Sequence, residues 1–338
     1  MHTDNPILDA LTRNGVLLNV SIRFWRAHKK LQAADLGLDA GDITDRLISL
    51  GHKKLLPKEA LAGFALIESR AHSMVEAATF PFLGGIARFL PNAKLPEVTA
   101  RLAGLEREFA GELERFKLRY GNLRTEALQE WRQAANRLDS DAETVVANVE
   151  AGFPAPDGLD RYFGFQSHLF QVTVPEGGSQ LELVTAGDQQ AIIEARNAAA
   201  REAAGKIREG TERFVADCVA TLRQETAMLC DEMLSSMSSG KTQGVHQKTL
   251  NRLLAFIEEF GKLNFASDTA MERHLDRVRR ELLSRTAEEY RDDSTAQARL
   301  REGLTRLRTT ARELAREDAS EIVERFGQMG VRRFSLAA

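Results

Sequence analysis

The sequence predicts a mainly α fold, built of long antiparallel coiled-coil-like helical hairpins, with a small β-sheet formed by N-terminal, central and C-terminal strands. Three observations point there. Apolar residues recur at three- and four-residue steps through two very long stretches, the pattern of an amphipathic helix. Leu, Ala, Glu and Arg abound while aromatics are only 7%, a mix that favours helix over sheet. Short segments near the start, middle and end alternate apolar and polar residues with the period of a strand.

The 338 residues allow one to three domains. With 43% hydrophobic and 28% charged residues, the chain is too apolar for a disordered polypeptide and rich enough in charge for exposed helices. A net charge of −3 and a pI of about 6.2 lack the basic excess of a dedicated nucleic-acid binder. The two cysteines, Cys218 and Cys230, fall in one helical pattern and would stand roughly 18 Å apart. That is too far for a bridge, so they read as buried small side chains in a reducing compartment. The first residues carry no basic segment followed by an apolar one, and no apolar run approaches the ~20 residues of a membrane span. The expected location is the cytoplasm.

In chain order, the first element reads as extended: Leu18, Val20, Ile22 and Phe24 alternate with Asn19, Ser21 and Arg23. Arg26, Lys29 and Lys30 form a basic stretch after it. Ile43, Leu47, Ile48 and Leu50 predict a short helix that stops near Gly51. Pro57 suits a first helical turn, and Leu61, Phe64, Ala65, Ile67, Ala71 and Val75 continue at helical spacing. Residues 79–91, TFPFLGGIARFLP, read as a buried turn that packs its aromatics against neighbouring helices.

Pro96 opens the first long arm. Val98, Phe109, Tyr120 and Trp131 recur every eleven residues on its apolar face, the period of a nearly straight helix. After a break at Gly152–Gly158, residues 168–174 alternate like a strand. The second long helix is expected from about Asp188 to Ser238, with Phe214, Cys218, Leu222, Leu229 and Met233 on its apolar face. A helix from about 246 to 264 follows. Ser267 or Asp268 then caps a third segment in which Leu275, Val278 and Leu282, then Leu300, Leu304 and Leu307, mark a seam. Ser294 with Gln297 matches a capping box; residues 282–300 read equally well as a hairpin tip or a straight solvated run. After Gly327 and Gly330 the tail VRRFSL alternates like a strand. The regions are thus 1–95 (α+β), 96–150 (first arm), 151–187 (linker with a short strand), 188–326 (second helical arm region) and 327–338 (C-terminal strand and tail).

No residue pattern predicts catalysis. Ser239-Gly240-Lys241-Thr242 echoes the end of a phosphate-binding loop, but Ser235 stands where that loop needs glycine and a helix precedes it instead of a strand. The seven histidines share no i, i+3 or i+4 spacing, so no metal or other cofactor is expected. Acidic and basic residues alternate along helix faces: Glu272 and Asp276 with Arg279 and Arg280, and Glu302 with Arg306, read as surface pairs worth about 0.3–0.5 kcal/mol each.

Four features in order carry a family resemblance: LLNVSIRFWRAHKKLQAADLGL from Leu17, LGHKKLLPKEAL from Leu50, FLGGIARFLP from Phe82, and a long LERE-type helix with Arg119-Tyr120. Together they resemble an uncharacterised bacterial and phage family known as a domain of unknown function, best over residues 15–175. Members of that family occur on phages, plasmids and integrative elements, beside a MoxR-type AAA+ ATPase and a protein with a von Willebrand A-like domain. The resemblance implies a non-enzymatic component of an ATPase-linked assembly. The expected function is a helical scaffold or adaptor, homo-oligomeric, that engages such an ATPase through exposed seam residues Leu300, Leu304 and Leu307. Two other readings stand beside it. One is a membrane-acting protein that inserts the Gly84–Gly85 segment, and the other a DNA-processing accessory using the Arg-rich last arm; as partners, membrane and nucleic acid are both disfavoured.

Overall fold

The computed structural model describes residues 6–32, 51–137, 141–171, 188–239, 245–317 and 319–331. In chain order these form helix α1 (Pro6–Asn14), strands β1 (Gly15–Arg23), β2 (His28–Lys30) and β3 (His52–Lys54), helix α2 (Ala62–Ala78), and strands β4 (Phe80–Phe82) and β5 (Ala87–Pro91). Helices α3 (Leu95–Arg137) and α4 (Ala142–Glu150), strand β6 (Gly164–Phe170), and helices α5 (Asp188–Ser239) and α6 (Gln247–Leu263) come next. Helices α7 (Thr269–Leu282), α8 (Ala287–Asp292), α9 (Ser294–Arg316) and α10 (Ser320–Val331) complete the order. The fold is mainly α with a small sheet in the order β4-β5-β1-β6, and β2 and β3 form a separate ribbon. Two compact units result, both discontinuous in sequence. One comprises Met1–Leu18, Ala78–Pro96 and Leu169–Ala338, the other Asn19–Ala77 and Glu97–His168.

In the first unit, the segment around Gly84 and Gly85 is a β-hairpin. Phe80 pairs with Phe89 and Phe82 with Ala87, and β5 continues the antiparallel ladder onto β1 through Leu17–Phe89 and Leu18–Arg88. Gly84 and Gly85 take φ of 69° and 89° at the turn, a region that costs a side chain about 1–2 kcal/mol. Pro81 sits in β4 at the edge of the sheet, where its missing N–H breaks no ladder. Gly15 is required where β1 meets β5, because a Cβ there would lie 2.6 Å from the Leu90 carbonyl oxygen. The expectation of a buried turn holds for Phe80, Phe82 and Phe89, which are 5%, 0% and 1% exposed. At the tip, however, Gly84, Gly85 and Ile86 are exposed.

Helical layers cover those rings. Phe265 lies within ring-contact distance of Phe80, Phe89, Phe214 and Phe326, at 4.7–6.3 Å between centroids. One aromatic knot thereby joins β4, β5, α5, the α6–α7 link and α10. Helix α9 runs antiparallel to α5: Asp231 meets Arg308 and Arg312, while Arg223, further back on α5, meets the Leu314 carbonyl further on in α9. This is the hairpin the seam spacing predicts.

Residues 283–293 bend, and local chemistry fixes the bend. Tyr290 donates its hydroxyl to the Leu282 carbonyl, Arg285 pairs with Asp293 at 3.0 Å, and Thr286 with Glu289 forms a capping box. The cap of α9 is Asp293, accepting from the Ala296 N–H at 2.9 Å, so the proposed Ser294–Gln297 box is corrected. The Asp293 carboxylate outcompetes the Ser294 hydroxyl because an ionised acceptor is the stronger partner for a helix N-terminus. Asp268 caps α7, as one of the two residues expected there.

Two expectations at the ends of this unit are corrected. The first element is helical: α1 buries Ile7, Leu8, Ala10 and Leu11 ahead of the strand. At the other end α10 continues to Val331, so Gly327 and Gly330 lie inside a helix. Gly327 is the point of closest approach to α1, where a Cβ would lie 2.9 Å from Ile7 Cγ1. A strand over the remaining tail falls outside the described residues, as does the short helix expected before Gly51.

The second unit is organised around Phe64 of α2, which is fully buried and touches Phe24, Phe109, Phe116 and Phe163. Along α3 the expected stripe is buried at Val98, Phe109 and Tyr120, at 1%, 4% and 1% exposure, while its fourth member, Trp131, is only half-buried. Tyr120 donates its hydroxyl to the Pro154 carbonyl at 2.7 Å, and burial pushes its pKa up to about 12. Asp141 caps α4 by accepting from the Glu143 N–H at 3.1 Å. The central strand begins at Gly164, earlier than its alternation suggested, and a 3-10 turn over Pro156–Tyr162 leads into it.

Candidate functional site

The residues singled out as an exposed partner seam are not exposed. Leu300, Leu304 and Leu307 are 0%, 0% and 2% exposed, in one core with Leu222 and Leu229 of α5 and Leu275 and Val278 of α7. Spacing on a helix shows that a face needs cover, but not which helix supplies it. Here the chain covers its own seam.

A buried ion pair locks the same seam. Arg223 of α5 donates from Nε to Asp268 at 2.6 Å and from a second nitrogen to the Leu314 carbonyl at 2.5 Å, with both side chains no more than 4% exposed. Asp268 spends its other oxygen on the N–H of Met271 at the start of α7. The ion pair therefore ties α5, α7 and α9 together, and no fully buried side-chain nitrogen or oxygen of either residue lacks a partner, the condition under which a buried charge is tolerable.

Besides the β4–β5 tip, a cleft and part of a helix lie open among the described residues of this unit. The first is a cleft of about 310 Å³ between α7 and α9, walled by His274, Arg277, Glu281, Arg299, Glu302 and Arg306. Gly303 lets α7 approach, since a Cβ there would meet Leu282 Cδ1 at 2.3 Å. Arg306 pairs with Glu302 at 2.7 Å, as its spacing predicts. Arg279 instead crosses to Glu258 of α6 at 3.9 Å, and Arg280 donates to the Asp276 carbonyl, so the expected pairs within α7 are not the ones made. Partial burial, with Arg277 and Arg273 nearby, holds the His274 pKa below its ordinary value. The cleft can exchange ion pairs with a partner helix.

The second open surface is the first half of α5. Between Ala198 and Gly210 no described side chain is buried, whereas from Thr211 onward Phe214, Val215, Cys218, Val219 and Leu222 all enter the core. Within the free half Ala199, Ala203 and Ile207 recur every four residues on one face, flanked by the Glu202–Lys206 pair at 2.5 Å.

The remaining chemically suggestive groups are placed as follows. Cys218 and Cys230 are both buried and unbridged, and burial raises both thiols, Cys230 to about 12, which keeps them in the unreactive protonated form. Among the described residues no three His, Cys, Asp or Glu side chains converge at metal-binding distance. Helix α5 ends at Ser239, and Gly240, Lys241 and Thr242 lie outside the described residues. No helix among the described residues is long and apolar enough to cross a membrane.

Neither a search of curated proteins nor one of solved structures finds a match to this chain. A family model does match, over residues 12–291, which includes all four segments that carry the resemblance noted above. The chain therefore belongs to the family described as "Protein of unknown function (DUF3150)".

Proposed function

We propose that this chain is a non-enzymatic helical adaptor of a phage-related or mobile-element system, working with a MoxR-type AAA+ ATPase and a von Willebrand A-domain protein. The observation that carries the adaptor reading is the contrast within α5. Its second half is anchored in the core, while between Ala198 and Gly210 no described side chain is buried: Ala199 is exposed and Ala203 and Ile207 are only half-buried. A helix rooted in the core at one end and only partly covered over residues 198–210 is suited to present a surface to a partner helix or to a second copy of the chain. The ATPase as partner comes from the family resemblance. The α7–α9 cleft, with its charged walls, supplies a second contact of the kind that orients a partner.

The test is a pull-down of the tagged full chain from its native host, with mass-spectrometric identification of what co-purifies. An AAA+ ATPase recovered near stoichiometry, and lost when Ala199 and Ala203 are both changed to Glu, supports the proposal. Recovery of the chain alone sinks it.

A second reading rests on the β4–β5 tip, where Ile86 is 77% exposed beside two glycines. Such a tip could dip into a lipid interface. Co-sedimentation with anionic liposomes that is lost in Ile86→Ser would favour this membrane-acting reading over the adaptor. The Arg-rich arm supports a nucleic-acid role less well, because Arg279, Arg285, Arg306, Arg308 and Arg312 are already paired with carboxylates.

A further inference from the structure

Strands β2 and β3 both read His-Lys-Lys, and their antiparallel register sets His28 against Lys54, Lys29 against Lys53 and Lys30 against His52. Side chains alternate between the two faces of a strand. His28, Lys30, His52 and Lys54 therefore share one face, and Lys29 and Lys53 the other. Burial agrees with this division. Lys53 is 7% exposed and donates to the Asn148 carbonyl at 3.4 Å, whereas all four residues of the first face are exposed. The imidazoles of His28 and His52 meet edge-on with centroids 5.3 Å apart, and His28 Nδ1 lies 3.1 Å from the Arg26 carbonyl.

Neither Lys30 nor Lys54 has a carboxylate partner among the described residues. On a cross-strand ladder, like charges set opposite one another cost stability, as Lys29 and Lys53 are here. The exposed lysines Lys29, Lys30 and Lys54 on this short ribbon, in a chain of net charge −3, are a local concentration of positive charge among the described residues.

The end of β3 opens onto a groove of about 490 Å³ in the same unit. Trp131 of α3 donates its indole N–H to the Lys54 carbonyl at 3.0 Å and forms one wall. Leu55, Leu56 and Pro57 line it, Lys54 and Arg137 supply its positive charge, and Glu130 is the one carboxylate among its lining residues. A row of unpaired cations beside a half-buried indole is the combination that tracks a phosphate backbone and stacks an unpaired base. A duplex keeps its bases stacked away from such a wall. An acidic peptide or an anionic lipid would use the lysines and leave the groove idle.

We infer that the β2–β3 ribbon and the Trp131 groove bind single-stranded nucleic acid, with Lys30 and Lys54 on phosphates and a base against Trp131. This inference does not depend on the adaptor reading, which concerns the other unit.

The test is fluorescence anisotropy of the full chain with a labelled oligo-dT between about 50 and 200 mM salt. Binding should weaken steeply as salt rises. In K30Q/K54Q the slope of log affinity against log salt should fall by about 1.4, and affinity near 0.1 M salt should drop roughly 25-fold. Trp131→Leu should weaken binding while leaving the salt slope unchanged. A control with the same charge loss elsewhere, R101Q/K206Q, should bind as the parent does. No binding at the lowest salt overturns the inference, as does equal affinity for a duplex of the same length. Displacement of the oligonucleotide by polyglutamate or anionic vesicles at equal charge, or equal loss in the control, overturns it too. Lys30 and Lys54 are exposed, so their variant stays informative even if Trp131→Leu fails to fold.

Discussion

The two longest helices look alike in sequence and behave differently in the fold. Helix α3 carries its apolar stripe from Val98 to Ala135 and buries it along nearly its whole length. Helix α5 is longer, yet buries nothing described before Thr211. The difference lies in the size of the side chains. As far as Tyr120 the stripe of α3 is made of Val, Leu, Phe and Tyr, large enough for burial to outweigh their ordering cost, and Ala127 and Ala135 continue it. The free half of α5 offers mainly alanines, which favour the helix but bury little area. A long helix can thus be held up by packing along its length, or held at one end and sustained beyond it by propensity.

The sharpest way to break this comparison is to cut the packed stripes. Phe116→Ala in α3 and Phe214→Ala in α5 should each destabilise their own unit by about 3–5 kcal/mol, read by chemical denaturation. If Phe214→Ala were tolerated, α5 would not be rooted where the structure roots it. Arg223→Leu should cost a similar amount, about 3–5 kcal/mol, because it strands the buried Asp268 carboxylate. Adding Asp268→Asn should recover part of that loss, since Asn still caps α7. A smaller effect, about 1 kcal/mol, is expected from Thr286→Ala, which removes the capping box at the bend.

Smaller again is Ile207→Ala, two helical turns before Phe214, which should change stability by about 1 kcal/mol or less. Backbone amides from 188 to 210 should exchange faster than those from 211 to 239 in the same experiment. Protection along the whole of α5 would show the two helices to be alike after all. The smallest effect concerns pH. Because the folded state depresses the His274 pKa, its contribution to stability is complete above the ordinary value of 6.5 and is lost as pH falls below it. His274→Gln should therefore flatten the stability profile slightly on the acid side of 6.5 and leave it unchanged at higher pH.

The long helices, their order and the small sheet were legible because periodicity accumulates over many residues. Helix α5 ends within one residue of its expected stop, and α3 covers the expected first arm as far as Arg137, with α4 as a separate helix over its last part. Shorter signals misled. Helix α1 escaped notice because only Ile7, Leu8 and Leu11 announce it, directly before a strongly alternating strand. Gly327 read as a stop, yet it is small so that α1 can approach α10. The tract around Gly84 did mark a turn, but strands of three and five residues carry too few residues to show a period.

At the level of sites, Leu300, Leu304 and Leu307 were identified correctly as a seam and incorrectly as a surface. Burial by the chain's own α5 depends on a contact made many residues away, which periodicity cannot reveal. The repeated His-Lys-Lys of the ribbon was visible all along. Only register put the two copies side by side.

The clasp between α1 and α10 has a consequence for how the molecule is made. Arg13 reaches the carbonyl of Met329, 316 residues along the chain, and Ile7 lies against Gly327. On a ribosome adding roughly 5–20 residues per second, α1 emerges first and must wait some tens of seconds for its partner. The Asn19–His168 region can settle during that wait, while Ile7, Leu8 and Leu11 stay bare. Nascent chains should therefore present α1 to chaperones and proteases until α10 appears and the clasp can shut.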